Sequence, residues 1–89
     1  MAQTRVLLFS KSYCGHCRAT KALFERLGEA FEAVELDQLK EGADLQSALA
    51  NLTGQSTVPN TFVRGEHLGG NQAVQAAHAS GRLASLLAS

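Results

Sequence analysis

At 89 residues and 45% apolar content, the chain has the length of one domain and enough hydrophobic material for a core, so 1–89 is read as a single domain. Eight basic and eight acidic side chains cancel, which argues against general binding to nucleic acid or to a membrane surface. No apolar run approaches the roughly 20 residues that cross a bilayer, and Met1-Ala2-Gln3-Thr4-Arg5 is too short and polar for a secretory signal, although a removed transit peptide would leave no trace.

Val6-Leu7-Leu8-Phe9 is continuously apolar, the pattern of a strand covered on both faces. Ser10-Lys11-Ser12-Tyr13 is a polar connection. From Cys14 the residues favour helix, with Cys17, Thr20, Phe24 and Leu27 on one face and Gly28 as the stop. Phe31 to Leu36 reads as a second strand, and a connection through a helix makes it parallel to the first. Gly42 opens a second helix whose apolar stripe is Leu45, Ala48, Leu49 and Leu52, ended by Gly54. Gln55-Ser56-Thr57-Val58-Pro59-Asn60 is a loop holding the single proline. Thr61-Phe62-Val63 and His67-Leu68 flank Arg64-Gly65-Glu66 as a tight hairpin. Gly69-Gly70-Asn71 leads into a helix, with Gly70 or Asn71 at its N-cap and Val74, Ala77 and His78 carrying it to Gly81. Leu83, Leu86 and Leu87 mark a final short helix. The order is β-α-β-α-β-β-α-α, an α/β chain.

The two cysteines stand together in Cys14-Gly15-His16-Cys17, between the first strand and the first helix. A bridge between residues three apart closes almost no loop and cannot staple a fold. The pair is therefore reactive or metal-binding, and the expected compartment is the cytoplasm. Zinc wants four ligands, and His16, His67 and His78 offer no His-x-x-x-His spacing to complete the set. Covalent haem wants His after the second cysteine, where Arg18 stands. Two buried inert thiols are the bland alternative. The basic residues Arg5, Lys11, Arg18, Lys21 and Arg26 crowd residues 5–26 against Glu25 alone. They read either as solvated helix surface or as a positive field around the cysteines, suited to a thiolate and an anionic substrate.

A helix starting near Cys14 puts that sulfur at an anion-favouring N-terminus, lowering its pKa from about 8.5. Cys17, one turn later and on the inner face, is less exposed yet close enough to attack a mixed disulfide on Cys14. Cys14 is thus the expected nucleophile and Cys17 the resolving thiol. A protonated His16 would stabilise the thiolate and make the disulfide more oxidising.

The motifs Lys11-Ser12-Tyr13-Cys14-Gly15-His16-Cys17, Thr57-Val58-Pro59-Asn60 and Gly69-Gly70-Asn71 resemble the glutaredoxins in order and spacing, and Glu35-Leu36-Asp37 and Thr53-Gly54-Gln55 fit as well. The likeness spans nearly the whole chain. It implies a thioredoxin-like fold with a central four-stranded mixed sheet flanked by helices, glutathione as co-substrate, and a cis Val58–Pro59 peptide facing the cysteines. It implies a glutathione-dependent thiol–disulfide oxidoreductase acting on glutathionylated or disulfide-containing proteins. Carried over by position, Lys11 pairs with a glutathione carboxylate, Gln55 helps with the glycine end, and Thr57 and Val58 hold the tripeptide by its backbone like an added strand. Pro59 shapes the groove, Tyr13 and His16 border it, Gly70, Asn71 and the start of the following helix take the other carboxylate, and Gln72 stands beside the ammonium.

Two departures stand out. Gly15-His16 replaces the Pro-Tyr common in the family and looks like the centre of the protein disulfide isomerases. Gln72 stands where the family often has Asp, a partner for the glutathione ammonium. The family also offers a second reading, a [2Fe–2S] carrier in which Cys14 of two subunits and two glutathiones hold the cluster; Gly15 makes that easier than proline does. The chain is expected to be a monomer unless a cluster joins two copies. Thioredoxin proper fits less well, since that family usually has Trp before the first cysteine and this chain has none.

Overall fold

The structure, a computed structural model, describes residues 5–88; Met1 to Thr4, read above as no secretory signal, and Ser89 lie outside the described residues. The chain forms β1 (Val6–Ser10), α1 (Gly15–Arg26), β2 (Glu32–Glu35), a 3₁₀ turn (Leu36–Gln38), α2 (Gly42–Thr53), β3 (Asn60–Val63), β4 (Glu66–Gly69), α3 (Asn71–Ser80) and α4 (Arg82–Ala88). This is the expected order with one added turn, and the strands make the expected four-stranded mixed sheet, β2-β1-β3-β4. β2 runs parallel to β1 because α1 carries the chain back across the sheet; β3 and β4 are antiparallel additions on the other side. The β3–β4 turn has Arg64 at φ 52° and Gly65 at φ 84°, the paired positive angles of a two-residue hairpin.

The inner face of the sheet carries the core. Val6 and Val63 pack with Leu23 and Phe24 of α1, Val74 and Ala77 of α3 and Leu83 of α4, and most of these are fully buried. Phe24 has no exposed surface; truncating it to Ala would cost about 3–5 kcal/mol through lost transfer energy and the cavity left behind.

Four local expectations change. β1 is not equally covered on its two faces, since Leu7 and Phe9 are only half-buried. They share with Phe62, Leu49 and Leu52 an apolar groove of about 320 Å³ on the α2 side. On α1, the buried set is Cys17, Thr20, Leu23 and Phe24, while Leu27 is exposed: the helix ends there, turning the side chain away from the sheet. On α2, Leu49 is buried and Leu45 half-buried, but Ala48 and Leu52 face solvent. Gly42 is the other buried position of α2, so this helix meets the fold along a stripe one residue removed from the expected one. Leu36 leaves the second strand to open the 3₁₀ turn.

Candidate active site

Cys14 is the N-cap of α1. Its backbone is extended, and its sulfur accepts the Cys17 N–H at 3.2 Å. A helix start leaves N–H groups without intrahelical acceptors, so one of them is satisfied here by sulfur rather than by the usual oxygen. The Cys14 side chain is partly exposed and its Sγ lies 3.9 Å from the Val58 carbonyl oxygen. Cys17, one turn on, is wholly buried. Both cysteines are free thiols. Burial, and after it the adjacent Cys14 thiol, push the Cys17 thiol up to about 11, while the Lys11 backbone and the Ser10 hydroxyl pull it the other way. The two sulfurs are therefore unequal: one reaches the surface at a helix terminus, and the other is held neutral underneath.

The loop before Cys14 is clamped from the end of the neighbouring strand β2. Asp37, in the 3₁₀ turn after β2, accepts both the Ser12 hydroxyl and the Ser12 N–H, the latter at 2.9 Å. These donors, the hydroxyl first, hold its carboxyl below the ordinary carboxylate value. The Cys14 N–H donates to the Lys11 carbonyl at 3.1 Å and closes the turn.

A second loop faces the first. The Val58–Pro59 peptide is cis, as the resemblance implied, and Pro59 is buried. His16, Thr57, Val58, Pro59, Gly70, Asn71 and Gln72 line a groove of about 360 Å³ beside Cys14. Seven residues singled out in the sequence thus converge, although they come from three separate stretches. The first turn of α3, with Gly70 as N-cap, forms one wall, and its unpaired N–H groups suit an anion. Asn71 turns its Oδ1 inward to the Thr20 hydroxyl at 2.9 Å, tying that wall to α1.

Three expected residues stand outside this lining. Lys11 is half-buried in the β1–α1 loop and Tyr13 is 70% exposed beside it. Gln55 uses its amide on the loop itself, donating to the Thr57 and Pro59 carbonyls at 3.0 and 2.8 Å. It braces the wall that carries Thr57 to Pro59. Asn60 and Thr53 extend that brace, since Asn60 donates to the Thr53 hydroxyl at 3.4 Å and shares a 2.7 Å contact with His67.

The basic crowd of residues 5–26 is thinned by pairing. Lys21 meets Glu35 at 2.6 Å and Arg5 meets Glu29 at 3.0 Å. Among the described residues Lys11, Arg18 and Arg26 have no ion-pair partner. The Arg18 guanidinium lies 4.0 Å from where a Cβ on Gly15, the residue after Cys14, would stand. Sequence reading assigned no role to Ser10, Ser12, Thr20 or Asp37, which supply the polar framework under and beside the two sulfurs. Their signal was a small or acidic polar residue at strand ends and on the inner helix face, where an apolar residue would pack more simply. Among the described residues no group of three or more His, Cys, Asp or Glu side chains is placed to hold a metal, and no helix is long and apolar enough to cross a membrane.

The family model for glutaredoxin matches residues 6–68. The chain is 49% identical over 87 residues to Glutaredoxin-C6 of Oryza sativa subsp. japonica, covering 98% of this chain and 78% of that protein. It is 46% identical over 82 residues to Glutaredoxin-C1 of Arabidopsis thaliana, covering 92% of this chain and 66% of that longer protein. Among solved structures it is similar to a buckwheat glutaredoxin–glutathione complex (TM-score 0.92, 44% identity, 94% of this chain and 76% of that one). It is also similar to a wheat glutaredoxin (TM-score 0.91, 49% identity, 97% and 80%).

Proposed function

The chain belongs to the glutaredoxin family, whose members are glutathione-dependent thiol–disulfide oxidoreductases, and on that premise we propose that it reduces protein–glutathione mixed disulfides through Cys14 and protein disulfides through Cys14 and Cys17. The observation that carries this reading is the inequality of the two sulfurs. Cys14 is partly exposed at a helix N-terminus, its Sγ 3.9 Å from the carbonyl oxygen of the groove residue Val58; Cys17 is buried one turn behind it.

In the first reaction the Cys14 thiolate attacks the glutathionyl sulfur of the substrate. The Cys14–glutathione disulfide forms, and the substrate thiolate leaves and takes a proton from water. A second glutathione thiolate attacks the bound glutathionyl sulfur, giving oxidised glutathione and returning Cys14 to its thiolate. In the second reaction Cys14 attacks a protein disulfide, and Cys17 then attacks Cys14 Sγ and displaces the reduced substrate. The groove holds the glutathionyl moiety. The carbonyl and N–H groups of Thr57 and Val58 offer strand-like pairing, while Gly70, Asn71 and Gln72 present a helix start to a carboxylate. Arg18 and Lys11 add unpaired positive charge for an anionic tripeptide.

A glutathione-coupled assay on the two single-cysteine variants tests this reading. A second reading, a [2Fe–2S] carrier built from two copies, draws support from the open backbone at Gly15, where a Cβ would meet only the Arg18 guanidinium. Anaerobic reconstitution followed by visible absorption and gel filtration separates the two, and a colourless monomer would rule the carrier out.

A further inference from the structure

Thr20 sits on the inner face of α1, one helical turn beyond His16, and has no exposed surface. A hydroxyl buried there is costly unless it is hydrogen-bonded, and valine has nearly the same shape without that cost. The hydroxyl has one proton to give. It lies 2.9 Å from Asn71 Oδ1 and 3.1 Å from the His16 carbonyl oxygen. The His16 carbonyl already serves the ladder of α1, so the proton goes to Asn71, the shorter contact.

Asn71 opens α3 and lines the groove. Its Oδ1 accepts a second bond, from Gln75 Nε2 at 3.2 Å, one turn along the same helix. With both lone pairs of that oxygen engaged, the amide is held against reversal and Nδ2 turns the other way. Among the described residues the one buried side-chain polar atom without a partner is Thr61 Oγ1; Asn71 Nδ2 also lacks an acceptor and so reaches solvent at the groove wall. Two N–H donors thus stand beside the α3 N-terminus, whose dipole and unpaired backbone N–H groups favour an anion as well.

We propose that Thr20 is a positioning residue for the glutathionyl ligand: from beneath the groove it fixes the Asn71 amide so that Nδ2 donates to the γ-glutamyl carboxylate. The proposal rests on the glutathione reading of the groove. Thr20 touches no ligand itself, and Gln75 supports the same amide from the α3 side. Because Thr20 belongs to the helix that Cys14 caps, its hydroxyl ties the carboxylate site to the frame that carries the attacking sulfur.

The test follows single-turnover release of a peptide thiol from a glutathionylated peptide by the reduced protein. The second-order rate constant of Thr20→Val is expected to fall about tenfold, the low end for a hydrogen bond to a charged group, while Thr20→Ser stays near wild type. The same peptide capped with 2-mercaptoethanol has no carboxylate on the cap and reacts alike with all three proteins. Two further caps read which way the amide faces. 4-Aminobutyryl-Cys-Gly lacks the γ-glutamyl carboxylate and erases the Thr20→Val defect; glutaryl-Cys-Gly lacks the ammonium and keeps it. Thr20→Val added to Asn71→Ala lowers the rate no further than Asn71→Ala alone. Thr20→Ala removes the same hydroxyl and takes the place of Thr20→Val if that variant does not fold. A wild-type rate on the glutathionylated peptide in folded Thr20→Val overturns the proposal. So does an equal loss on the 2-mercaptoethanol cap, which would mark a structural defect at the sulfurs. A defect that survives on the aminobutyryl cap and vanishes on the glutaryl cap overturns it too, since Asn71 Oδ1 would then face the ammonium. A wild-type protein that reacts no faster with the glutathionylated peptide than with the 2-mercaptoethanol one contradicts the glutathione reading itself, and the proposal with it.

Discussion

Gly42→Ala and Gly15→Ala are the same substitution at the first residue of two helices, and they are expected to have opposite effects. A Cβ on Gly42 would lie 1.9 Å from the Leu36 carbonyl oxygen and 2.9 Å from its carbon, about 1.5 Å inside an ordinary contact at 3.4 Å. Both sides of the clash are backbone, so neither can rotate away. Gly42 and Leu36 are buried, and the Leu36 oxygen already accepts the Leu39 N–H at 3.3 Å. Overpacking of this kind costs about 1–3 kcal/mol, and the rigid partners place it near the top of that range. Alanine returns at most about 1 kcal/mol of helix propensity. The net loss is about 2 kcal/mol, which lowers Tm by roughly 8–16 °C for a domain of this size. On Gly15 the Cβ meets only the Arg18 guanidinium at 4.0 Å, so propensity decides and Tm holds or rises slightly. Thermal unfolding followed by circular dichroism reads both. A Gly42→Ala protein as stable as wild type would refute the close approach of α2 to the 3₁₀ turn.

Cys17 titrates near 11 in the fold and near 9 when unfolded, so the unfolded chain loses this proton first. Its contribution is therefore complete below pH 9 and falls by on the order of 2 kcal/mol as pH rises toward 11, since each pKa unit is about 1.4 kcal/mol; the drop should be smaller in Cys17→Ala on denaturant melts across that window. Asp37 shifts the other way: its stabilising effect is present above the ordinary carboxylate value near 3.8 and is lost as pH falls below it. Asp37→Asn should flatten the acid limb of the stability curve and raise amide exchange at Ser12, measured by NMR. Gln72→Asp introduces a carboxylate at the second residue of α3, where no acidic residue now faces the helix dipole. A charged partner for the glutathione ammonium adds about 1 kcal/mol, so the apparent KM for glutathione should fall about fivefold. An unchanged KM would contradict the placement of Gln72 in the groove.

The architecture was legible because its signals are local. The apolar run at Val6–Phe9, the glycines closing the first three helices and the hairpin around Gly65 each announce one element. What the sequence hid depends on which way a helix is rotated. Leu52 reads as core by period alone, yet stands 77% exposed, because the close approach at Gly42 fixes α2 on a different stripe. The groove residues were found because three motifs recur together, not because any one of them is specific. The framework beneath them escaped notice for a related reason. Ser10 and Glu35 lie 25 residues apart and meet only through strand register, and Asp37 reaches Ser12 across the same distance. Gln55 was assigned toward the ligand on position, while its geometry spends the amide on the carbonyls of its own loop.

The division of labour between the sulfurs is tested most directly by deglutathionylation of a glutathionylated protein, compared across wild type, Cys14→Ser and Cys17→Ser with glutathione recycling. The account predicts that Cys14→Ser is inactive while Cys17→Ser retains this reaction and loses only disulfide reduction. Loss of deglutathionylation in a folded Cys17→Ser protein, or its survival in Cys14→Ser, would contradict it.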